Sequence, residues 1–466
     1  MAKHARLSAS QTKDWASCPG TIALKEHFPY DDPSGEAAML GTCAHALIER
    51  CLEEGVNPVS YKGRLIEIIR PNTDEEGTSI LRAGAKWPKD PARKVFEVDD
   101  DMVEATTSFC HYVRTRLCEL LPSRYQDADD PSISKDAVER GTLKLEGRVN
   151  PLPGRDDTGG TADVTIDAWP EVLEVIDYKN GSGVFVPIHK NWQLRSYLLG
   201  RAVETDMDYS GYRYAIGQPR HHLAPQPDGI SWEDMTPDEL VSFRDDDLVP
   251  AVERVDRARA VLDAMDGPTL DEARAALYEA GHLTAGEDGS HCTYCVHLTD
   301  CPAARARVEE TIGMDFADDP TELEPPTGVN HLSVILPWKP FIETFLKQAA
   351  AKAEELLMNG TKVPGYKIVK KSGNRTWKPD LDEASVRKGL ASKYGVDPSK
   401  LMTEPVPPKL ITGPQAEKLV PAKRRPEFEE EYLYKPDGGF TMVPESDKRE
   451  AVDPTAQAAD DFAELD

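Results

Sequence analysis

Apolar positions along residues 8–27 recur every three or four places, as on one helix face. Ser10 sits at a capping position and Cys18-Pro19-Gly20 interrupts the pattern. The same period runs over 36–54, where Gly55 offers a left-handed stop, and over 100–121. The texture then switches to period-two alternation. Residues 142–149, 161–167 and 172–178 read as strands, with Gly159-Gly160 as the turn between the first two and Gly181 to Gly183 closing the third. Residues 187–202 return to helical spacing, and 209–216 read as a fourth strand. This order implies a mixed sheet in an α/β layer. Beyond it, 233–280 are mainly helical, and helices are expected at 302–312, 336–358 and 382–394. A basic hairpin or strand is expected at 363–377 with turn residues at 372–374. There is no internal repeat.

Composition narrows the class. At 466 residues and 39% hydrophobic content the chain is globular, with room for two to four domains. No apolar run approaches the ~20 residues that span a bilayer, and the start has no apolar signal segment, so a cytoplasmic location is expected. Net charge is −27, from 55 Lys and Arg against 82 Asp and Glu. That balance weighs against a nucleic-acid binder, because phosphate wants cations. Much of the acid falls in stretches such as Asp99 to Asp101, Asp245 to Asp247 and the terminal residues 460–466. Metal-assisted phosphate chemistry also requires carboxylates.

One such set is suggested by the strands. Asp163 lies on one, and Asp177-Tyr178-Lys179 ends the next. Antiparallel neighbours put such ends side by side, and Asp177 and Lys179, two apart, share a face while Ile176 packs behind. A hard divalent cation takes carboxylate oxygens, and a lysine beside it steadies charge developing on a phosphate. The Tyr178 carbonyl, between the two side chains, is a further candidate ligand. Alone, the triplet equally describes a surface ion pair. His45 and Glu49 are one turn apart on the second helix, as are Gln193 and Tyr197 on a later one. Glu146, on the strand before Asp163, reads as a solvated strand residue rather than as a further acidic ligand. Lys371, Arg375 and Trp377, among Lys367, Lys370 and Lys378, form a basic–aromatic patch suited to single-stranded DNA or to a solvated hairpin around a packed Trp.

Eight cysteines are present, and Cys292-x2-Cys295-x5-Cys301-Pro302 holds three of them within ten residues. Such spacing suits zinc or an iron–sulfur cluster. Cys18-Pro19 is the nearest fourth in pattern, with His291 and His297 as competing zinc ligands.

Together these residues resemble the RecB-like branch of the PD-(D/E)XK nucleases, which includes the AddB nuclease domain and CRISPR-associated RecB-like exonucleases. The carriers, in order, are Cys18-Pro19 after Leu7-Ser8-Ala9-Ser10, His45 in GTCAHALIE, Gly160-Thr161-Ala162-Asp163, Asp177-Tyr178-Lys179, Gln193 to Tyr197, and the three later cysteines. The resemblance covers about residues 5–310. It implies an α/β fold of the restriction-endonuclease-like kind: a mixed central sheet flanked by helices, with helical insertions and an iron–sulfur-stapled N-terminal segment. It further implies a [4Fe–4S] cluster on Cys18, Cys292, Cys295 and Cys301, with Mg²⁺ or Mn²⁺ on His45, Asp163 and Asp177. Lys179 would be catalytic, and Gln193 and Tyr197 would hold the site or the strand. The stretch from Gly365 to Trp377 is similar to a phage-encoded branch of the same superfamily. The expected organisation is a nuclease domain at 1–315, a linker at 316–330, a helical and basic region at 331–445 and an acidic disordered tail at 446–466.

The expected activity is exonucleolytic cleavage of DNA ends or single strands in phage recombination, replication or repair, with a single-strand-annealing or single-strand-binding protein as a candidate partner. Two rivals are a non-cleaving DNA-binding accessory protein on the same scaffold and a zinc-stapled helical protein. The acidic helices between Tyr197 and Cys292 depart from the family pattern.

Overall fold

A computed structural model of the chain describes residues 5–30, 35–70, 76–88, 90, 93–225, 228–285, 290–293, 295–312, 339–372, 376–378, 381–401, 412–421, 424–434, 437–444 and 450–452. It divides into two compact units, Met1–Phe341 and Ile342–Asp466. The expected linker at 316–330 lies outside the described residues, as does nearly all of the expected tail. Among the described residues no helix is long and apolar enough to cross a membrane.

The first unit is mixed α/β. Its strands are β1 (Leu7–Ser8), β2 (Leu65–Ile69), β3 (Gly77–Ile80), β4 (Lys94–Glu97), β5 (Leu143–Val149), β6 (Thr158–Ala168), β7 (Val172–Tyr178), β8 (Gly211–Gly217) and β9 (Ile230–Met235). Its helices are α1 (Thr12–Ser17), α2 (Gly20–His27), α3 (Glu36–Glu54), α4 (Asp100–Leu120), α5 (Ser132–Glu139), α6 (Trp192–Thr205), α7 (Pro237–Ser242), α8 (Val249–Asp263), α9 (Leu270–Glu279) and α10 (Pro302–Ile312). Strands β2 to β4 form a small sheet in the order β3-β2-β4. The central sheet runs β1-β6-β7-β8-β9, with β5 also on β6. Pairs β5/β6, β6/β7 and β8/β9 are antiparallel, while β7/β8 and β1/β6 are parallel. The parallel step from β7 to β8 needs a crossover, which α6 supplies.

Alternation along β7 decides what covers the sheet. Leu173 and Val175 join Leu194 and Leu198 of α6 and Val252 and Val255 of α8 in one apolar cluster. Ile176 and Tyr178 join Leu47 of α3 and Phe109 and Val113 of α4 in another. Because both faces are buried, β7 reads as a nearly continuous apolar run. Each such side chain contributes roughly 1.5–3 kcal/mol on burial. Helix α3 ends at Gly55 with φ 66°, and α4 is capped by the Asp99 carboxylate, which accepts from the Met102 N–H at 2.8 Å.

Several expected elements differ. Residues 8–27 are not one helix capped by Ser10, because Leu7–Ser8 pairs with β6 and the helical part breaks at Cys18 and Pro19. The helix expected at 187–202 starts only at Trp192, where the Asn191 side chain caps it. Gly159 and Gly160 are not a turn; both lie inside β6. A Cβ on Gly159 would stand 2.8 Å from the Val149 carbonyl, and one on Gly160 2.8 Å from Tyr197 Cε1. Close approach, not chain reversal, requires glycine there.

The second unit has its own apolar cluster around Val386, Leu390, Tyr394, Phe428 and Tyr432. Its strands are β10 (Tyr366–Ser372), β11 (Thr376–Trp377), β12 (Leu433–Tyr434) and β13 (Asp437–Pro444). The hairpin expected at 363–377 is absent among the described residues, since β10 pairs with β13 and β11 with β12.

Candidate metal centre and cysteine cavity

Three adjacent strands each bring one carboxylate to the same level of the sheet. The β6/β7 register ends at Val164↔Ile176, and one step further sets Asp163 opposite Asp177. On the other side, the pairs Leu145↔Val164 and Gly147↔Ala162 bracket Glu146 opposite Asp163. Glu146 is left out of that ladder, with φ 44°, a left-handed conformation uncommon for a non-glycine residue. Helix α3 supplies His45, whose Nδ1 lies 3.4 Å from Asp163 Oδ2 and 4.0 Å from Glu146 Oε1. Ligand atoms of His45, Glu146 and Asp163 all fall within 4.8 Å of one another. Behind them the His45 ring meets Tyr178 edge-on at 5.5 Å, and the Tyr178 N–H donates to Asp163 Oδ2 at 2.8 Å.

Lys179 and α6 complete the other half. Lys179 Nζ is 2.9 Å from Asp177 Oδ2 and donates to Gln193 Oε1 at 3.2 Å. The Gln193 amide nitrogen donates to Asp177 Oδ1 at 3.1 Å and to the Tyr197 hydroxyl at 3.0 Å. Asp177 is buried, and its Oδ2 touches the ammonium as an ion pair without a well-directed hydrogen bond. A buried carboxylate oxygen in that state has a lone pair to offer a cation.

Negative charge is in excess here. Burial, then Asp163, Glu49 and Asp177, push the Glu146 carboxyl up to about 8. Burial also raises Asp177; Lys179 opposes that shift and Asp163 adds to it. Burial lowers the Lys179 ammonium, but Asp177 and Asp163 more than reverse this and hold it charged. Like carboxylates this close resist joint ionisation unless a cation sits among them.

A second cluster forms away from the sheet. Cys18, Cys292, Cys295 and Cys301 line one cavity with Arg274, His291 and His297. The N-terminal segment is tied to it by backbone: Gly20 N–H donates to the His282 carbonyl at 2.8 Å, and Thr284 N–H to Cys18 Sγ at 3.5 Å. Burial pushes the Cys18 thiol up to about 12, with Cys301 and Cys295 adding to the shift. Burial, then Arg274, hold His297 down at about 4.

A family model described as "Protein of unknown function (DUF2800)" matches residues 4–450. The chain belongs to the DUF2800 family. Among solved structures, this DUF2800 chain is similar to one titled "Crystal structure of SSO0001", at 18% identity over 42% of this chain and 82% of that one, with a TM-score of 0.18.

In this DUF2800 protein His45 thus groups with Asp163 and Glu146, whereas Asp177 groups with Lys179, Gln193 and Tyr197, the two sets meeting where β6 and β7 run side by side. Tyr178 contributes its backbone N–H, while its ring is buried behind. Glu146, read from sequence as solvated, instead joins the acidic group with its side chain 35% exposed. The one available signal was its place on the strand next to Asp163. In the second unit Trp377 packs edge-on against Phe428 at 5.9 Å. Lys371 lies on β10, and Arg375 lies outside the described residues.

Proposed function

We propose that this protein is a divalent-metal-dependent deoxyribonuclease. The observation that carries the reading is the convergence of His45, Glu146 and Asp163 on a volume bordered by the Asp177–Lys179–Gln193 network. The carboxylates suit Mn²⁺ or Mg²⁺ and the imidazole favours Mn²⁺ of the two, while Asp177, paired with Lys179 at 2.9 Å, stands beside Asp163 on the next strand. A bound ion of this kind would acidify a water and offset phosphate charge. Lys179, kept charged by Asp177, orients the nucleophilic water and meets charge growing on the scissile phosphate. Gln193 hydrogen-bonds both Lys179 and Asp177, and Tyr197 anchors Gln193. A groove of about 1370 Å³ beside the start of β6 carries Arg6, Lys25 and Arg148 but also Glu26, Asp156 and Glu204, and none of the candidate catalytic residues lines it, so it is not part of this reading. Exonucleolytic action, in phage recombination, replication or repair and alongside a single-strand-annealing or single-strand-binding protein, is the setting such metal-dependent cleavage suits. Eight free cysteines fit a reducing cytoplasm.

The four cavity cysteines hold a [4Fe–4S] cluster in this reading. Four cysteines, one near the N-terminus and three closely spaced downstream, lining one cavity are the donor set such a cluster takes.

The test is an anaerobic preparation assayed on end-labelled single- and double-stranded DNA. Cleavage should require Mn²⁺ or Mg²⁺, stop with EDTA, and fall at least ~100-fold in Lys179→Ala with the fold retained. Undiminished metal-dependent cleavage by Lys179→Ala would remove the assignment.

A further inference from the structure

The cysteine cavity contains a histidine whose hydrogen bonding decides its role. His297 is 8% exposed and lies in the cavity wall with Arg274. Arg274 NH2 is 3.1 Å from His297 Nδ1. A guanidinium has donors only, so Nδ1 accepts. The neutral ring must then carry its proton on Nε2. Arg274 is held in place by Asp271 Oδ1 at 3.0 Å and Asp300 Oδ2 at 3.7 Å.

Nε2 is buried and meets no hydrogen-bond partner among the described residues. A stranded donor of this kind destabilises by about 1–3 kcal/mol unless something in the cavity accepts from it. His291 differs, because its Nε2 reaches the Thr284 carbonyl at 3.0 Å and is satisfied by protein alone. A metal-ligating histidine normally donates its second nitrogen to a carboxylate or carbonyl. His297 faces a donor there instead, so ligation through Nε2 would require an imidazolate.

We propose that His297 is not a ligand but a hydrogen-bond donor, through Nε2–H, to a sulfur of the group the four cysteines hold, with Arg274 as the positioning residue that sets its tautomer. The proposal rests on the iron–sulfur reading of that cavity. A donor on sulfur withdraws electron density and raises the reduction potential.

Iron and acid-labile sulfide are measured first on the wild-type protein; zinc without sulfide overturns both the cluster reading and this proposal. With a cluster present, His297→Phe should keep its iron and visible absorbance, and its midpoint potential should fall by at least a tenfold change in the reduction equilibrium, about 59 mV for one electron. His297→Gln, which keeps an N–H, should recover part of that shift. Electron–nuclear double resonance on reduced wild-type protein carrying ¹⁵N-histidine needs no variant to fold. A weak nitrogen coupling through a hydrogen bond is expected; a strong coupling from a direct ligand, or none, overturns the proposal. So does an unchanged potential in His297→Phe.

Discussion

Replacing Glu146 by Gln should move stability in opposite directions with and without metal. Glu146 faces Asp163 across the strand and His45 from α3, with its carboxyl displaced from 4.5 to about 8. At 1.36 kcal/mol per tenfold in proton affinity, that displacement corresponds to at most about 4–5 kcal/mol. The side chain is 35% exposed, and solvent screening reduces the usable part to about 1–2 kcal/mol. Because the folded-state value is raised, the penalty is absent near pH 4.5, grows between there and pH 8, and stays constant above. In EDTA at pH 8, Glu146→Gln should therefore melt later than wild type, and near pH 4.5 the two should coincide. Adding Mn²⁺ at about 100 times its dissociation constant stabilises wild type by about 2.7 kcal/mol, and the variant, having lost a ligand, by less. The order of melting then reverses. Differential scanning calorimetry across pH, with and without Mn²⁺, reads all four conditions. A variant less stable in EDTA at pH 8 would show that Glu146 is not crowded, and one stabilised by Mn²⁺ as much as wild type would show that it is not a ligand.

Gly160→Ala should destabilise the first unit by about 1–3 kcal/mol, since its Cβ would stand 2.8 Å from Tyr197 Cε1 and 3.0 Å from Ala9 Cβ; thermal melting would show it, and an unchanged melt would deny the close approach. Asp157, held at about 2 by Arg155 and, against the opposing effect of burial, by Arg6, contributes stability that is complete above pH 4 and lost toward pH 2. Asp157→Asn should thus lower stability by about 1–2 kcal/mol at pH 7, with the gap to wild type closing on acidification. Cys18→Ala should abolish absorbance near 400 nm and expose the N-terminal segment to limited proteolysis; retained colour would remove Cys18 from the cavity's ligands.

The strongest periodic segments were legible in the chain. Helix α3 and strand β7 fall where their patterns place them, because each has one consistent period and a clear stop. Shorter pieces were not. Strands β2 to β4 are four or five residues each, too brief to announce a period, and β9 was absorbed into a helical stretch. Gly159-Gly160 carried a turn signal while serving a tight approach to Tyr197, which only the tertiary partner explains. The same limit set Glu146 aside as solvated: its irregular backbone and its place opposite Asp163 are properties of the sheet, not of its neighbours in sequence. The hairpin expected at 363–377 failed because the partners of both strands lie some sixty or seventy residues further on.

The link between Cys18 and the strand of chain near His282 spans 264 residues. At roughly 5–20 residues per second on a ribosome, the first cysteine leaves the exit tunnel some 15 to 50 s before the others are made. Throughout that interval its thiol has no companions, and any assembly machinery must wait for the far segment. In the proposed cluster reading, assembly cannot begin before Cys301 is made, about two thirds of the way along the 466 residues, and oxidative stress during synthesis should damage the protein more than the same stress applied to the finished molecule.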